Sequence, residues 1–284
     1  MIDLTRLSHR RLLTQRLTTP THTDPADIVR FFGATQAQDY LFAKWSLAQR
    51  LQDATDLTLE TAFSSGAFLR THVMRPTWFF VHPDDIHWML ALTARRVHQL
   101  NAAYYRKEGV DDEMKRQSMQ IMERSLAEQE SLTRDELYAL FRDAGLIGKT
   151  PGLRGIYILM HAELEGLICS GPMRGKQQSY ALIDRRAPHA KTLSADESLV
   201  ELARRYFTSH GPATRRDFAR WSGLTLTDTD RALEALKTEL QQASIDDNVY
   251  WFKSASGALP SEASPPLRAF LLSGYDEYLN GKSE

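Results

Sequence analysis

Two glutamines, Gln36 and Gln38, are the residues whose type and spacing could do chemistry. They lie in the segment Thr35–Tyr40, shortly after Gly33 and between two helical patterns. Residues two positions apart point the same way in an extended backbone, so an extended segment would present both carboxamides to one site and turn Ala37 to the core. Two carboxamides can hold a water molecule, because each of them donates and accepts hydrogen bonds. Glutamines near a helix start are more often structural or solvated, so the pair alone does not establish a site.

The elements that must position this pair are predicted to be helices. Asp24 is a good N-cap for a helix that ends at Gly33. A further helix is predicted from about Tyr40 to Leu51. Its residues form one apolar stripe, which is the pattern of a helix that buries one side: Leu41, Trp45, Ala48 and Leu51. The glutamines would therefore connect two helices.

Helices followed by a β-hairpin, the order of a winged helix, occur three times along the sequence. The first hairpin is predicted between Phe68 and Val81, and the second between Ile168 and Ile183. The third passage ends with a helix at about 227–242 and a hairpin that turns at Asp246-Asp247-Asn248. The predicted fold is therefore mainly α with short β-hairpin wings, arranged as three tandem winged-helix modules. A single irregular α+β domain is the alternative.

These passages predict four segments along the chain. They are a first module with a helical extension (1–130), a second module (131–190), a third module (191–256), and a linker with a C-terminal region (257–284). Thr133 and Glu136 form a capping box at the start of the second module. The loop composition of Gly257–Pro266 marks the end of the third.

Composition excludes several classes of protein. Hydrophobic residues make up 42% and charged residues 25%, which is ordinary for a globular protein. The single cysteine, Cys169, excludes a disulfide framework and a cysteine-based zinc site within one chain, and neither a metal nor a cofactor is expected. The N-terminal sequence lacks the apolar stretch of a signal peptide, and no stretch is long enough to span a membrane. A cytoplasmic protein without membrane contact is therefore expected.

Local charge, rather than overall charge, is consistent with DNA as a partner. The formal net charge is −1, but basic residues outnumber acidic ones between Phe141 and Arg220. Five cations from the second hairpin and the third helical passage are the predicted phosphate contacts: Arg174, Lys176, Arg215, Arg216 and Arg220. A module that contacts only proteins, with these charges simply solvated, is the alternative.

Four segments of the sequence, taken in order, resemble the AlkZ/YcaQ-type DNA glycosylases. They are Gln36-Ala37-Gln38-Asp39 with the following helix, Arg70–Trp78, Arg215–Leu224, and Gly274-Tyr275-Asp276-Glu277-Tyr278-Leu279. The resemblance spans nearly the whole chain and depends on the combination, because no single motif is specific. It implies three tandem winged helices that form a concave DNA-binding surface.

The resemblance also implies a function and the residues that perform it. The family hydrolyses the N-glycosidic bond of alkylated purines, and one branch unhooks interstrand cross-links. Its catalytic motif is two glutamines around an apolar residue, which matches Gln36 and Gln38, whereas a sister branch has aspartate at the second position. His72, Arg75 and Thr77 would lie on the first wing, near the site or the DNA backbone. The expected partner is damaged double-stranded DNA, bound by a monomer without a cofactor.

Glutamine is not a strong general base, which restricts the expected substrate. An N7-alkylguanine is cationic and leaves readily, so a positioned water and a stabilised sugar cation would suffice. Family members usually continue well past the segment that matches Asp276–Tyr278, so residues 257–284 are expected to include a truncated C-terminal β region. The alternative function is a non-enzymatic winged-helix transcriptional regulator, which would have no need of paired amides in an open cleft.

Overall fold

The structure, a computed structural model, describes residues 4–245, 247–253 and 269–280. The predicted turn residue Asp246 and the predicted linker Gly257–Pro266 lie outside these ranges. So does most of the C-terminal region predicted at 257–284. Within the described ranges, no helix is both long enough and apolar enough to cross a membrane.

The first part of the chain places the two glutamines at the edge of a small sheet. Its elements are α1 (Leu4–Thr14), α2 (Pro25–Phe32), β1 (Ala34–Gln36), α3 (Tyr40–Ala48), α4 (Asp56–Ser65), β2 (Leu69–Val73), β3 (Arg75–Val81), α5 (Ile86–Glu108) and α6 (Asp112–Glu128). The strands form a sheet in the order β1-β3-β2, so β1 is an edge strand. Gly33 ends α2 as predicted, with a φ of 84°, and the chain passes directly into β1.

Two more groups of helices and strands follow. Their elements are β4 (Leu132–Thr133), α7 (Arg134–Asp143), α8 (Gly152–Leu164), β5 (Ile168–Ser170), β6 (Ser179–Leu182), α9 (Ile183–Arg186), α10 (Ala195–Ser209), α11 (Arg215–Ser222), α12 (Leu226–Ala235), β7 (Leu240–Ile245), β8 (Asn248–Lys253) and α13 (Glu277–Asn280). The sheets β4-β6-β5 and β7-β8 are antiparallel. The predicted mainly α class with short β-hairpins is confirmed, whereas the division into three winged-helix modules stays a prediction.

Two predicted helix limits are wrong. The helix predicted at 227–242 ends at Ala235, and Leu240 already begins β7. β7 pairs with β8 from Leu240 opposite Lys253 to Ile245 opposite Asn248, so strand pairing overrides the helical pattern at its end. The sequence pattern also predicts a short helix at Arg10–Leu17, whereas the first helix runs from Leu4 to Thr14.

The first half of the predicted apolar stripe, Leu41 and Trp45, points outward, contrary to the prediction, whereas Leu51 at its end is buried. Three large apolar side chains of α3 are exposed: Leu41 by 66%, Phe42 by 53% and Trp45 by 48%. Lys44 is buried instead, because its ammonium pairs with Asp56 and Glu60 of α4 at 2.6 and 3.2 Å. Ser46 is also buried, and its hydroxyl donates to Asp276 at 2.6 Å. Partners far away in the sequence thus decide which side of α3 faces inward.

One hydrophobic core joins the first and third parts of the chain. It contains Val81 and Trp88 from the first part and Tyr206, Phe218 and Trp221 from the third. The first part also has a core of its own, which includes Phe32 and Ala37. Since Ala34 of β1 belongs to the shared core, the strand that carries Gln36 packs together with α11.

Gly223 fixes the contact between α11 and the turn from β2 to β3. Its φ is 72°, and an added Cβ would lie 2.4 Å from the carbonyl oxygen of Met74. Gly223→Ala is therefore expected to lower the free energy of unfolding by about 1–2 kcal/mol from the left-handed conformation alone, and further through the clash. Thermal unfolding checks this against Gly145→Ala, whose φ of 73° is similar but whose Cβ would meet nothing within 4 Å. Equal melting temperatures for the two variants would contradict the prediction.

Candidate active site

Gln36 and Gln38 lie close together, and Ala37 between them is turned into the core. The Ala37 N–H donates to the carbonyl oxygen of Trp78 in β3 at 2.7 Å, so the strand pairing continues past the end of β1. Ala37 is fully buried, Gln36 is half-buried and Gln38 is exposed. Asp39 then starts α3, because its carboxylate accepts a backbone N–H of the first turn at 3.1 Å. The structure therefore has the alternation that the sequence predicts.

Hydrogen bonds from β3 hold both carboxamides. Arg75 donates to Oε1 of Gln36 at 3.0 Å, and the Thr77 hydroxyl donates to Oε1 of Gln38 at 2.6 Å. Arg75 and Thr77 are two positions apart on a strand, so their side chains leave it on the same face. Both amide oxygens are therefore turned toward donors of β3, which fixes the direction in which each carboxamide presents its NH2 group.

Arg70 supports the backbone of the glutamine segment from β2. Its guanidinium donates to the carbonyl oxygens of Ala37 at 2.9 Å and Gln38 at 3.1 Å, and also to the side chain of Gln178. The guanidinium lies 4.4 Å from the centre of the Trp78 ring. Burial lowers the pKa of Arg70 to about 10, so the side chain remains a cation at neutral pH. One buried cation thus holds two consecutive carbonyl groups in place.

A buried carboxylate from the C-terminal segment reaches the same strand. Glu277 of α13 is 1% exposed. Its Oε1 accepts the backbone N–H of Gln36 at 2.6 Å. Its Oε2 accepts from Nε1 of Trp221 at 2.8 Å and lies 3.0 Å from Nε2 of His210. Because the N–H of Gln36 faces away from β3 on an edge strand, the carboxylate satisfies a donor that the sheet does not pair.

Arg75 lies between charges of opposite sign. Burial lowers the pKa of Arg75, Glu277 raises it, and Arg220 lowers it further. Arg220, on α11, is therefore near enough to interact with Arg75. Arg220, one of the predicted DNA-binding cations, thus interacts electrostatically with Arg75, which itself contacts Gln36. The guanidinium of Arg75 also lies 5.2 Å from the centre of the Phe79 ring. The cation beside Gln36 is therefore partly buried.

The other predicted DNA-binding cations lie on the surface. Arg174 pairs with Glu136, and Arg215 pairs with Asp230 at 2.7 Å. Two more are exposed on the second and third parts of the chain: Lys176 and Arg216. Surface pairs of this kind are weak and can exchange partners, so phosphate contacts by these side chains stay a prediction.

His72 is buried, contrary to its predicted position at the DNA. Its ring is 1% exposed, is bonded through Nδ1 to the equally buried Glu163, and lies 4.3 Å from the Trp78 ring between centroids. The reason is that every residue of Leu69–Val73 is buried, so neither face of β2 is open to solvent. An interior imidazole held by a carboxylate has no surface for a phosphate, and we therefore exclude His72 from the DNA contacts.

Two charged residues of this site are not singled out by the sequence. Arg70 and Glu277 both fall within segments that carry the family resemblance, but no pattern assigns either of them a role. The one available signal is an ionisable residue beside apolar ones, as where Arg70 follows Phe68 and Leu69. Glu277 lies 241 positions from Gln36, and no spacing rule connects residues so far apart.

The chain is similar to DNA glycosylases over almost its whole length, which confirms the resemblance found in the sequence. The family model described as DNA glycosylase AlkZ-like matches residues 29–284. A Streptomyces sahachiroi protein named "Interstrand DNA cross-link repair glycosylase" is 24% identical over 283 residues, covering 95% of this chain and 75% of that protein. The structure of Streptomyces sahachiroi DNA glycosylase AlkZ matches with a TM-score of 0.76 and 22% identity, over 99% of this chain and 78% of that one. This structural likeness shows a shared fold.

Proposed function

This chain belongs to the AlkZ-like DNA glycosylase family, and we propose that it hydrolyses the N-glycosidic bond of N7-alkylated purines in double-stranded DNA as a monofunctional enzyme. The similarity to a protein named for interstrand cross-link repair, which aligns with 95% of this chain, extends the proposal to cross-linked purines. The observation that carries the proposal is the pair of carboxamides of Gln36 and Gln38, whose oxygens are held by Arg75 and Thr77.

The chemistry of two amides suits a base that is already charged. When the C1′–N9 bond of an N7-alkylguanine breaks, the bonding electrons neutralise the cationic base, so no acid is needed to protonate it. Water then adds to C1′ of the sugar cation, and its proton passes to the solvent. Gln36 and Gln38 would hold that water, since each amide oxygen has a second lone pair and each amide nitrogen has two N–H groups. Holding the water in place removes much of the entropic barrier to its attack.

Basic side chains around the pair would hold the duplex. Arg75 contacts Gln36, Arg220 interacts electrostatically with Arg75, and Thr77 lies beside Gln38. The remaining proposed phosphate contacts are on the surface of the second and third parts of the chain: Arg174, Lys176, Arg215 and Arg216. For the paired cations among them, binding would exchange a carboxylate for a phosphate, which is a charge-assisted contact of the same kind. Such contacts contribute affinity rather than sequence preference.

Excision is expected to depend on the charge of the lesion. Two duplexes that differ in one base, N7-methylguanine or hypoxanthine, should give single-turnover rates at least ~10²-fold apart, since neutral hypoxanthine needs the general acid that the two amides lack. The measurement is release of the free base, followed by alkaline cleavage at the abasic site. Equal rates on the two lesions would contradict the amide mechanism and require a proton donor at the site.

A further inference from the structure

Glu277 contacts Gln36 from the side opposite to β3. Its Oε1 lies 2.6 Å from the backbone nitrogen of Gln36, on the open edge of the sheet. An edge strand of three residues has few bonds of its own to fix its end. The carboxylate therefore anchors the chain where the first glutamine leaves β1.

Each carboxylate oxygen of Glu277 faces an N–H group that can donate a hydrogen bond but cannot accept one. One oxygen meets the N–H of Gln36, and the other meets the indole N–H of Trp221 at 2.8 Å. A carboxylate accepts at both oxygens, whereas a carboxamide accepts at one end and donates at the other. Glutamine at this position would therefore set an NH2 group against one of these two donors. The site selects a carboxylate by hydrogen bonding as well as by charge.

The charge of Glu277 also affects Arg75, which contacts the side chain of Gln36. The carboxylate favours the charged form of Arg75, while Arg220 opposes it, and Arg75 donates to Oε1 of Gln36 at 3.0 Å. We propose that Glu277 is a positioning residue for base excision, which holds the backbone of Gln36 through its N–H. This inference rests on the proposed function, and it assigns Glu277 no contact with the DNA.

A variant of the neighbouring residue, Asp276, can distinguish a positioning role of Glu277 from simple anchoring of the C-terminal segment. Asp276 is also buried, and it bonds to Arg50 at 2.7 and 2.8 Å and to Ser46 at 2.6 Å, away from the glutamines. Both residues tie the same segment to the body of the protein, but only Glu277 reaches Gln36. Asp276→Asn is therefore a matched control for Glu277→Gln.

The experiment measures the single-turnover release of N7-methylguanine, the affinity for the same duplex, thermal stability, and amide hydrogen exchange over residues 34–39. For Glu277→Gln we expect a rate lowered by about 10- to 100-fold, because small misplacements of a catalytic group have effects of this size. Its duplex affinity should stay within about 2-fold, because phosphate contacts dominate affinity. Exchange over residues 34–39 should be faster than in the wild type. Asp276→Asn should lower the melting temperature and leave the rate unchanged.

A wild-type rate in Glu277→Gln, or an equal loss of rate in Asp276→Asn, would overturn the inference. Glu277→Asp keeps both oxygens and should regain part of the rate, which provides a second variant if Glu277→Gln does not fold. If the wild type releases no base, the proposed function fails by itself. Hydrogen exchange then decides the role of Glu277, because unchanged protection over residues 34–39 in Glu277→Gln would overturn the anchoring and faster exchange would support it.

Discussion

Replacing either Gln36 or Gln38 by alanine is expected to lower the single-turnover excision of N7-methylguanine by about 10²–10³-fold, as does the loss of one preorganised hydrogen-bonding group in other active sites. Each variant removes one of the two amides that would hold the attacking water. Gln38 is exposed and Gln36 only half-buried, so neither change should affect the core. Duplex affinity should stay within a few-fold, because it depends mainly on phosphate contacts.

Two further variants test this prediction: one should have a smaller effect on the rate, and the other should have none. Thr77→Val removes the hydroxyl that orients Gln38 and keeps the amide, so its loss of rate should be smaller than that of Gln38→Ala. Gln52→Ala removes an exposed glutamine whose amide, among the described contacts, bonds only to the carbonyl oxygen of Pro20 at 3.0 Å, and it should leave the rate unchanged. A loss of affinity that matches the loss of rate in Gln36→Ala would show that the glutamines bind DNA instead of positioning water.

Arg50→Met is expected to lower the free energy of unfolding by about 3–5 kcal/mol, the usual cost of removing one partner from a buried ion pair. Arg50 is 1% exposed and bonds both oxygens of Asp276, at 2.7 and 2.8 Å, as well as the amide oxygen of Gln15 at 2.8 Å. Methionine fills a similar volume but leaves the Asp276 carboxylate buried without its cation. The melting temperature should fall by roughly 10 °C for a chain of this size.

The same ion pair predicts a dependence on pH. Burial raises the pKa of Asp276, but its bonds to Arg50 outweigh this effect, and the pKa lies below its ordinary value. A carboxyl group with a lowered pKa in the folded state contributes stability above its unfolded pKa, and that stability is lost as the pH falls through the folded pKa. The difference in melting temperature between the wild type and Arg50→Met should therefore narrow in acid. Arg116→Met breaks an exposed pair with Glu113 and should cause no measurable change, whereas equal effects of Arg50→Met and Arg116→Met would contradict the prediction.

The sequence predicts those features of the structure that depend on contacts between residues close together in the chain. Asp24 caps α2, Thr133 and Glu136 form their capping box at the start of α7, and Gly33 ends α2 with a positive φ. The alternation of Gln36, Ala37 and Gln38 is equally local, because the buried position of Ala37 follows from the two-residue period of an extended chain. These features depend on neighbours within a few residues, which is why the sequence could predict them.

The sequence does not predict the positions of residues whose partners lie far away in the chain. α3 turns Leu41 and Trp45 outward, because Lys44 and Ser46 on its other side bond to Asp56, Glu60 and Asp276. The resemblance implies that His72 lies near the site or the DNA backbone, yet His72 is buried and pairs with Glu163. Glu277 could not be found because nothing in the sequence indicates that α13 lies against β1. A charged residue's position depends on its partner, and a single sequence does not reveal that partner.

The most direct measurement places one N7-methylguanine in a duplex and scores abasic sites formed by the wild type and by the Gln36→Ala/Gln38→Ala double variant. The expected result is abasic sites with the wild type, and no more than the spontaneous level with the double variant. Equal release by both proteins would contradict a role for the paired amides. Salt-sensitive binding of the duplex by the wild type, without release of the base, would contradict the glycosylase assignment and favour a DNA-binding regulator.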